Sequence, residues 1–347
     1  MGKIKVPRTY FVCVACRDSH FPLDHRLGLT GYLTVGARRL LSLAGASWSF
    51  DQARDKLHEF CGLEASDELI RRTAQATGVA IADWMAAAPE AVAEFQTANG
   101  EAEFETDGVK VNTTEGWRDV KIALFAKRLR GESASTDQWD KRVLPAPMAR
   151  FATARIAEST AFAVDWRPTA VRLGIDPDAA ELTVLADGAE WIWNRAGEQF
   201  PAAAGVLDIY HAIEHVAAAA RKCFGDNSPR TTAAIDRGRS LLLADGYLGV
   251  VNWLGELTAA AEPGFDGSAF GELLNYLAAH QTRLNYALRL YRGQSIGSGQ
   301  IEGAAKSMVG RRLKINSCRW REANVNKMCG LAAAFYSNCW AEYWNAA

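Results

Sequence analysis

Three acidic residues have the types and separations of a site assembled from distant parts of a chain. Asp107 lies in a predicted strand over residues 103–111, Asp187 follows the apolar run Leu182–Ala186, and Glu302 lies in a segment with helical periodicity. Hard cations such as Mg²⁺ or Mn²⁺ prefer oxygen ligands, and two ions about 3.5–4 Å apart can support phosphoryl transfer. The chain contains 40 acidic residues, so spacing alone does not select these three.

Two short apolar runs predict where two of the strands end. Leu182–Ala186 and residues 205–207 are rich in Val and Leu, and each is followed by an aspartate, Asp187 and Asp208. Such runs are typical of buried strands, and a helical spacer that stops before Pro201 separates them. Open α/β sheets place their chemistry at the carboxyl ends of their strands. Asp187 is therefore a candidate site residue.

The remaining periodicity predicts an α/β domain interrupted by helices. Strands are predicted over residues 103–111 and 120–125, a loop over 131–147, and helices over 151–171, 211–224 and 300–314. Residues 226–291 carry no strand signal, with breaks expected at Pro229, Gly246 and Pro263-Gly264. This pattern predicts an all-helical insertion in the α/β domain. Trp253 in this insertion is expected in its core.

Residues 33–85 are predicted to form three helices. Thr34 can cap the first, Ser49 with Gln52 forms a capping box for the second, and Ser66 can cap the third. Gly62 and Gly78 are the predicted ends of the second and third helices.

Helices joined by a short glycine-containing turn resemble a helix-turn-helix. The third helix would then read DNA with Arg71, Arg72 and Gln75 exposed. The alternative is a small helical bundle whose polar face is only solvated.

Seven scattered cysteines predict reduced thiols in a cytoplasm. Cys13 and Cys16 form a lone CxxC, which supplies two of the four ligands of a structural zinc site. His20 and His25 could complete it, although their spacing is poor. Half of a zinc knuckle, or two plain thiols, is the favoured alternative. No apolar run approaches a membrane span, and the first ten residues lack a signal-peptide core.

Net charge separates the whole chain from its C-terminal part. The chain carries a net charge of −1, so it is not a basic nucleic-acid binder as a whole. Residues 303–327 hold seven basic residues against one acid, a net charge of +6; the basic residues are Lys306, Arg311, Arg312, Lys314, Arg319, Arg321 and Lys327. Such a patch suits a phosphate backbone, and a merely solvated helix face is the alternative.

Several sequence motifs in the chain carry a family resemblance. They are TDGVKV around Asp107 with GWRDVK after it, LADGAEWIWN at Asp187, LDIYHAIEH over residues 207–215, IGSGQIEGAAKSMVGRRLK followed by RW, and PLDHRLGL near the start. With these words the chain resembles the DDE transposases of bacterial insertion sequences, within the Mutator-like superfamily, and most closely the ISKra type. The resemblance covers most of the chain.

The resemblance implies a fold and a chemistry. It implies an RNase H-like catalytic domain, a mixed sheet with flanking helices, in which Asp107, Asp187 and Glu302 bind two Mg²⁺ or Mn²⁺ ions. Asp208 and His211 would lie near the site in support, and the resemblance also implies that Trp253 of the insertion could stack on a displaced base. The implied activity is cleavage and strand transfer at the terminal inverted repeats of an insertion sequence, by a homo-oligomer associated with the bacterial nucleoid.

The corresponding domain prediction has five parts. They are a partial zinc-ribbon-like segment (1–30), a helical DNA-binding-like domain (31–99), the first part of the catalytic domain (100–225), the helical insertion (226–291) and the C-terminal part with the glutamate helix (292–347). Relatives usually carry further zinc-ribbon cysteines before the point where this chain begins. A truncated or domesticated copy is therefore also expected, and a DNA-binding remnant without catalysis is the alternative function.

A second alternative arises at the start of the helix after Asp208. His211, Glu214 and His215 match the H-x-x-E-H pattern of inverted zinc proteases, because two histidines four residues apart can share a metal ion. The transposase resemblance accounts for the same histidine.

Overall fold

The computed structural model describes residues 5–29, 31–259, 265–315 and 318–346. Within them lie a small hairpin and one mixed sheet. The hairpin is β1 (Phe11–Val12) and β2 (Ser19–His20); the sheet contains β3 (Glu101–Thr113), β4 (Gly116–Arg128), β5 (Ala149–Ile156), β6 (Leu182–Ala186) and β7 (Ala204–Leu207).

The sheet has β3 at its centre. The strand order is β5-β4-β3-β6-β7. The pairs β3–β4 and β4–β5 are antiparallel, whereas β3–β6 and β6–β7 are parallel. Alternate residues therefore face two separate cores: Val184 of β6 lies in one and its neighbour Leu185 in the other. The predicted mixed α/β architecture is confirmed.

Among the described residues, five helices precede the large sheet. They are α1 (Pro22–Arg26), α2 (Val35–Ser47), α3 (Phe50–Cys61), α4 (Asp67–Ala87) and α5 (Glu90–Thr97). Thr34 and Ser66 cap α2 and α4 as expected, with Thr34 Oγ1 accepting from Ala37 N at 3.2 Å and Ser66 Oγ from Leu69 N at 3.1 Å. Gly62 ends α3 in the left-handed region. The predicted capping box at Ser49 is wrong, since its side chain makes no capping hydrogen bond.

The elements that the structure describes at the C-terminal end of the chain are helices. The C-terminal elements are α13 (Gly299–Ala304), a π-helical turn (Ala305–Gly310), α14 (Arg311–Leu313), α15 (Glu322–Tyr336) and α16 (Trp340–Ala346). They agree with the helix predicted over residues 300–314. Trp320 and Trp344 are buried in the core.

The prediction that Gly78 ends the third helix is wrong. Helix α4 runs through Gly78 without a break. Because glycine has no side chain, α4 can approach α15 closely at this position. A Cβ atom built on Gly78 would lie 1.9 Å from the backbone oxygen of Lys327, and one on Gly330 would lie 2.1 Å from the oxygen of Gly78. Tertiary packing, and not local backbone preference, explains both glycines.

The packing of α4 also differs from the expectation that Arg71, Arg72 and Gln75 are exposed for contact with DNA. Gln75 is buried, so the prediction that it is exposed is wrong. Arg71 donates hydrogen bonds to Glu68 and to Gln75, whereas Arg72 is exposed. Contacts from Arg71 and Arg72 to DNA stay predictions.

Residues 149–156 form the edge strand β5 where a helix was expected. The segment ARFATARI is rich in Ala and Arg, which favour helices. It pairs instead with β4, with Phe151 beside Phe125 and Arg150 exposed. Two short helices follow, α6 (Ser159–Ala163) and α7 (Trp166–Arg172). Strand pairing overrides the local preference here.

The chain between β6 and α13 follows the sequence pattern closely. Helix α8 (Glu190–Gln199) links β6 to β7, α9 (Ile209–Phe224) follows Asp208, and the insertion contains α10 (Pro229–Ala259), α11 (Ser268–Ala279) and α12 (Tyr286–Tyr291). Among the described residues from 226 to 291 there is no strand. The predicted break at Pro263-Gly264 lies outside the described residues.

Gly246 and Trp253 both lie in α10 of the insertion and are both buried. Gly246 kinks α10 with φ 58°, where a Cβ atom would meet the backbone oxygen of Leu284 at 2.7 Å. Trp253 is buried in the insertion's own core, with its ring centroid 6.2 Å from that of Phe270. This burial favours the core role for Trp253 over stacking on a base. Within the described part of the chain, no helix combines the length and apolar character needed to cross a membrane.

Candidate active site

Asp107 and Asp187 lie on neighbouring parallel strands at the same height. Strands β3 and β6 pair with Glu105 beside Leu185, and this register continued by two residues sets Asp107 beside Asp187. Neighbouring strands lie about 4.8 Å apart. The two aspartates, 80 residues apart in sequence, thus meet at the carboxyl end of the central parallel pair.

The ionisation of Asp107 responds to both other candidate acids. Burial raises the pKa of the Asp107 carboxyl above its usual value, and the negative charges of Asp187 and Glu302 raise it further. A hydrogen bond from Gly108 N to Asp107 Oδ1, 2.6 Å long, and nearby His211 act in the opposite direction. The charges of both other candidate acids therefore act on Asp107.

The backbone around Asp187 is fixed by local hydrogen bonds. Asp187 Oδ1 accepts from Ala189 N at 2.9 Å, and the Asp187 backbone oxygen accepts from Trp193 Nε1 at 2.7 Å. These bonds hold the turn between β6 and α8. The carboxylate therefore stays at the end of the strand.

Glu302 projects from α13 toward solvent. Lys306 Nζ lies 3.5 Å from Glu302 Oε2, one helical turn away. Both side chains are more than half exposed, so this pair contributes little to stability. Glu302 is thus free to engage a ligand.

Two buried glutamates, which the sequence interpretation missed, lie on the same face of β3 as Asp107. Glu105 Oε2 accepts a hydrogen bond from Ile301 N at 2.8 Å, and Glu103 Oε2 accepts one from Gln300 Nε2 at 2.8 Å. Burial, and then the charge of Glu103, raise the pKa of Glu105 well above its usual value. The signal was the alternation of acids at positions 103, 105 and 107, which puts all three on one face of a central strand.

Asp208 forms hydrogen bonds to the loop that leads into α13. Asp208 Oδ1 caps α9 by accepting from His211 N at 3.0 Å. Asp208 Oδ2 accepts from Ser298 N at 2.5 Å and from Ser298 Oγ at 2.8 Å. The loop over residues 295–301 is therefore held by Asp208 on one side and β3 on the other. This fixes where α13 begins and where Glu302 lies.

The donor set suits a hard cation chemically. Asp107, Asp187 and Glu302 offer only carboxylate oxygens. Burial, and then the charges of Asp187 and Glu302, raise the pKa of Asp107, and a cation would offset these effects. In the side-chain arrangement of the described residues, no three His, Cys, Asp or Glu side chains lie close enough to hold a metal ion. One oxygen each of Asp107 and Asp187 is bound to a backbone N–H. Joint ligation therefore requires these carboxylates to turn toward a shared ion.

Cys13 and Cys16 lie at the tip of the β1–β2 hairpin. Both are exposed free thiols, and hydrogen bonds from the backbone and side chain of Cys16 lower the pKa of Cys13. Within the described residues, neither His20 nor His25 joins them in a group of metal ligands. The hairpin presents two exposed thiols, which both half a zinc knuckle and two plain thiols would show, and a zinc ion stays a prediction.

The H-x-x-E-H segment has structural contacts of its own. His211 Nδ1 lies 3.5 Å from Asp208 Oδ1, and the His215 ring stacks on Tyr276 with centroids 3.7 Å apart. Burial lowers the pKa of His215. No third ligand completes a metal site with these histidines in the described part of the chain. Nothing in this geometry favours the zinc-protease alternative.

The predicted DNA-contacting basic residues differ in exposure. Those that face solvent are Lys306, Arg311, Lys314 and Arg319. Arg312 is buried: its Nε donates to Gly45 O at 2.8 Å, and its guanidinium lies 4.5 Å from the Phe50 ring centroid. Burial lowers the pKa of Arg312 to about 10. Arg312 therefore joins α2 to the C-terminal segment, and its assignment as a DNA contact is corrected.

Comparisons with known proteins assign no family to this chain. A scan against models of protein families finds no family that matches this chain. A search of curated proteins finds no significant match.

Proposed function

We propose that this chain is a DDE transposase, which cleaves DNA strands and transfers them at the ends of an insertion sequence. The observation that supports this most is the meeting of Asp107 and Asp187 on adjacent parallel strands, with the charge of Glu302 acting on Asp107. Acids 80 and 115 residues apart in sequence have no local reason to share one environment. A shared ligand of opposite charge gives them such a reason.

The residues have separate roles in this proposal. Asp107, Asp187 and Glu302 hold one or two Mg²⁺ or Mn²⁺ ions, which when bound supply charge stabilisation for phosphoryl transfer. Asp208, Glu103 and Glu105 hold the loop that positions Glu302. His211 lies beside the cluster and influences Asp107.

The architecture is compatible with the RNase H-like fold that the resemblance implies. That fold is a mixed sheet with flanking helices, and here helices pack on both faces of a five-stranded mixed sheet in the described residues. The helical insertion lies between the segments that carry Asp187 and Glu302. The terminal repeats, target DNA, homo-oligomer and nucleoid location are proposed on the same resemblance.

Charge reversal at Arg311 should weaken DNA binding through the phosphate backbone. Arg311 is exposed beside Lys306 and Lys314, and each lost phosphate contact flattens the log-affinity against log-salt slope by about 0.9. Arg311→Glu should therefore reduce the slope by about 1, measured by fluorescence anisotropy between 50 and 200 mM salt. Exposed Arg237→Glu, in the insertion, is the matched control and should change it less. An unchanged slope for Arg311→Glu would exclude Arg311 from the DNA contact.

The direct test of the function is cleavage of the DNA that flanks the gene. Purified chain, incubated with these flanks and Mg²⁺, should cut at an inverted repeat and leave free 3′-hydroxyl ends that join to a second duplex. EDTA should stop the reaction. Binding of the flanks without cleavage under Mg²⁺ and under Mn²⁺ would instead support the DNA-binding remnant.

A further inference from the structure

The helical insertion packs against the turn that carries Asp187. Two of its residues reach this turn: Tyr276 lies in α11, and His280 directly follows α11. A Cβ atom built on Gly188 would lie 2.3 Å from Tyr276 Oη and 2.5 Å from the ring carbon Cε2 of Tyr276. His280 interacts with the backbone of Gly188. The insertion therefore contacts the residue that directly follows a proposed metal ligand.

Two histidine rings hold the Tyr276 ring in place. The His215 ring, from α9, stacks on it with centroids 3.7 Å apart and an interplanar angle of 16°. The His280 ring packs at 65° to it, with centroids 5.1 Å apart. Rings packed in this way leave the tyrosine little freedom to move. The Tyr276 hydroxyl is therefore fixed beside the turn that carries Asp187.

His280 is held in one tautomer and joins a second contact to the same turn. Arg283 Nη1 lies 2.8 Å from His280 Nδ1, and a guanidinium can only donate, so Nδ1 is the acceptor and the ring proton lies on Nε2. The Arg283 guanidinium also lies 4.0 Å from the centroid of the Trp193 ring. Trp193 Nε1 in turn donates to Asp187 O. The insertion thus supports the Asp187 turn directly and through Trp193.

The Tyr276 hydroxyl has no hydrogen-bond partner in the described part of the chain, although it is buried. Protein atoms cover this oxygen, so only a neighbouring protein group can accept its proton. Burial raises the pKa of Tyr276, and the charges of Asp187 and Asp208 raise it further. These two carboxylates are therefore the candidate acceptors.

Only one of the two carboxylates has an oxygen available. Both oxygens of Asp208 already accept hydrogen bonds, Oδ1 from His211 N and Oδ2 from Ser298. Asp187 Oδ1 accepts from Ala189 N, and Asp187 Oδ2 accepts no hydrogen bond among the described residues. A buried hydroxyl without a partner is destabilising until it finds an acceptor. Asp187 is the acceptor that a small rotation of a side chain can supply.

We propose that Tyr276 is a positioning residue for Asp187. When the Asp187 carboxylate turns toward the ion that it shares with Asp107 and Glu302, one oxygen binds the ion and the other accepts a hydrogen bond from Tyr276 Oη. This bond fixes the carboxylate in its ligating orientation, as groups behind metal ligands commonly do. The inference rests on the proposed function, and it gives the helical insertion a direct part in the reaction centre.

The test compares two tyrosines of the insertion that each lose only a hydroxyl. Tyr276→Phe keeps the ring that packs on His215 and Gly188. Tyr286→Phe is the matched control, because Tyr286 is also buried and its hydroxyl donates to Leu207 O at 2.9 Å. The full chain is used for both measurements. They are the free energy of unfolding by urea in EDTA, and Mn²⁺ affinity by electron paramagnetic resonance of the free ion.

The two variants should show opposite profiles. Tyr276→Phe should keep or raise the metal-free stability, because the lost hydroxyl has no partner there. Its Mn²⁺ affinity should fall about 10- to 100-fold, the usual effect of removing a group that orients a metal ligand. Tyr286→Phe should lower the metal-free stability, because Leu207 O loses its donor, and should keep the Mn²⁺ affinity.

Asp187→Asn separates the failure of this inference from the failure of the proposed function. If Asp187→Asn abolishes Mn²⁺ binding and Tyr276→Phe leaves it unchanged, the positioning role is overturned and the proposed metal site stands. An equal loss of affinity in Tyr276→Phe and Tyr286→Phe would also overturn the positioning role, since packing of the insertion would then explain both. Wild-type chain that binds no Mn²⁺, or binds it equally well after Asp187→Asn, would overturn the metal site on which both proposals depend.

Discussion

Glu302→Gln should abolish strand cleavage while the chain folds and binds DNA as before. The substitution keeps the volume and helix propensity of the side chain but removes its charge and one ligand oxygen. It also removes a charge that repels Asp107, so unfolding is not expected and slight stabilisation is. Cleavage with Mg²⁺ should fall on the order of 100-fold or more, since the lost metal interaction contributes several kcal/mol in the transition state.

Lys306→Gln is the matched control for this prediction, because Lys306 lies one turn away and is 79% exposed. It should weaken DNA binding and lower cleavage only mildly. Paired cleavage and anisotropy assays separate the two profiles. If Glu302→Gln cuts DNA at the wild-type rate, Glu302 is not a metal ligand and the proposed set of three acids is wrong.

Gly78→Ala should destabilise the chain strongly although alanine is the better helix former. The added Cβ would lie 1.9 Å from the backbone oxygen of Lys327, which cannot move without shifting α15 against α4. The expected loss in the free energy of unfolding is about 3 kcal/mol, measured by urea denaturation.

Gly197→Ala provides the matched control, since Gly197 also lies inside a helix, α8, with no atom within 4 Å of its built Cβ. There the substitution should stabilise by up to about 1 kcal/mol. Equal effects of the two substitutions would show that α4 and α15 are not in the close contact described.

The sequence predicted the parts of the fold that continuous apolar runs define. The strand before Asp187, the helix after Asp208 and the helical insertion all follow from local pattern. The strand over residues 149–156 could not be predicted, because its Ala- and Arg-rich composition favours a helix and only pairing with β4 decides it. Gly78 was misread for the same physical reason, since its role depends on a carbonyl about 250 residues away.

The sequence likewise predicted some residues of the candidate site and missed others. The sequence indicated Asp107, Asp187 and Glu302 through motifs and through their places in, or directly after, predicted strands and helices. Glu105 was missed because its burial depends on a hydrogen bond to Ile301, 196 positions further along the chain.

Arg312 was wrongly predicted to contact DNA, because its neighbours in sequence are basic. Composition alone grouped it with the exposed arginines and lysines of residues 303–327. Its burial results from packing against Phe50, which lies far away in sequence.

The most direct test of the central claim is to ask whether one divalent cation binds to Asp107, Asp187 and Glu302 together. Fe²⁺ replacing Mg²⁺, with ascorbate and peroxide, generates radicals that cut the polypeptide next to the bound ion. The wild-type chain should be cut near residues 107, 187 and 302 together, and excess Mg²⁺ should suppress all three cuts. Asp187→Asn should abolish them, whereas Asp83→Asn, at an exposed acid of α4, should not. Absence of these cuts, or their persistence in Asp187→Asn, would contradict a shared metal centre.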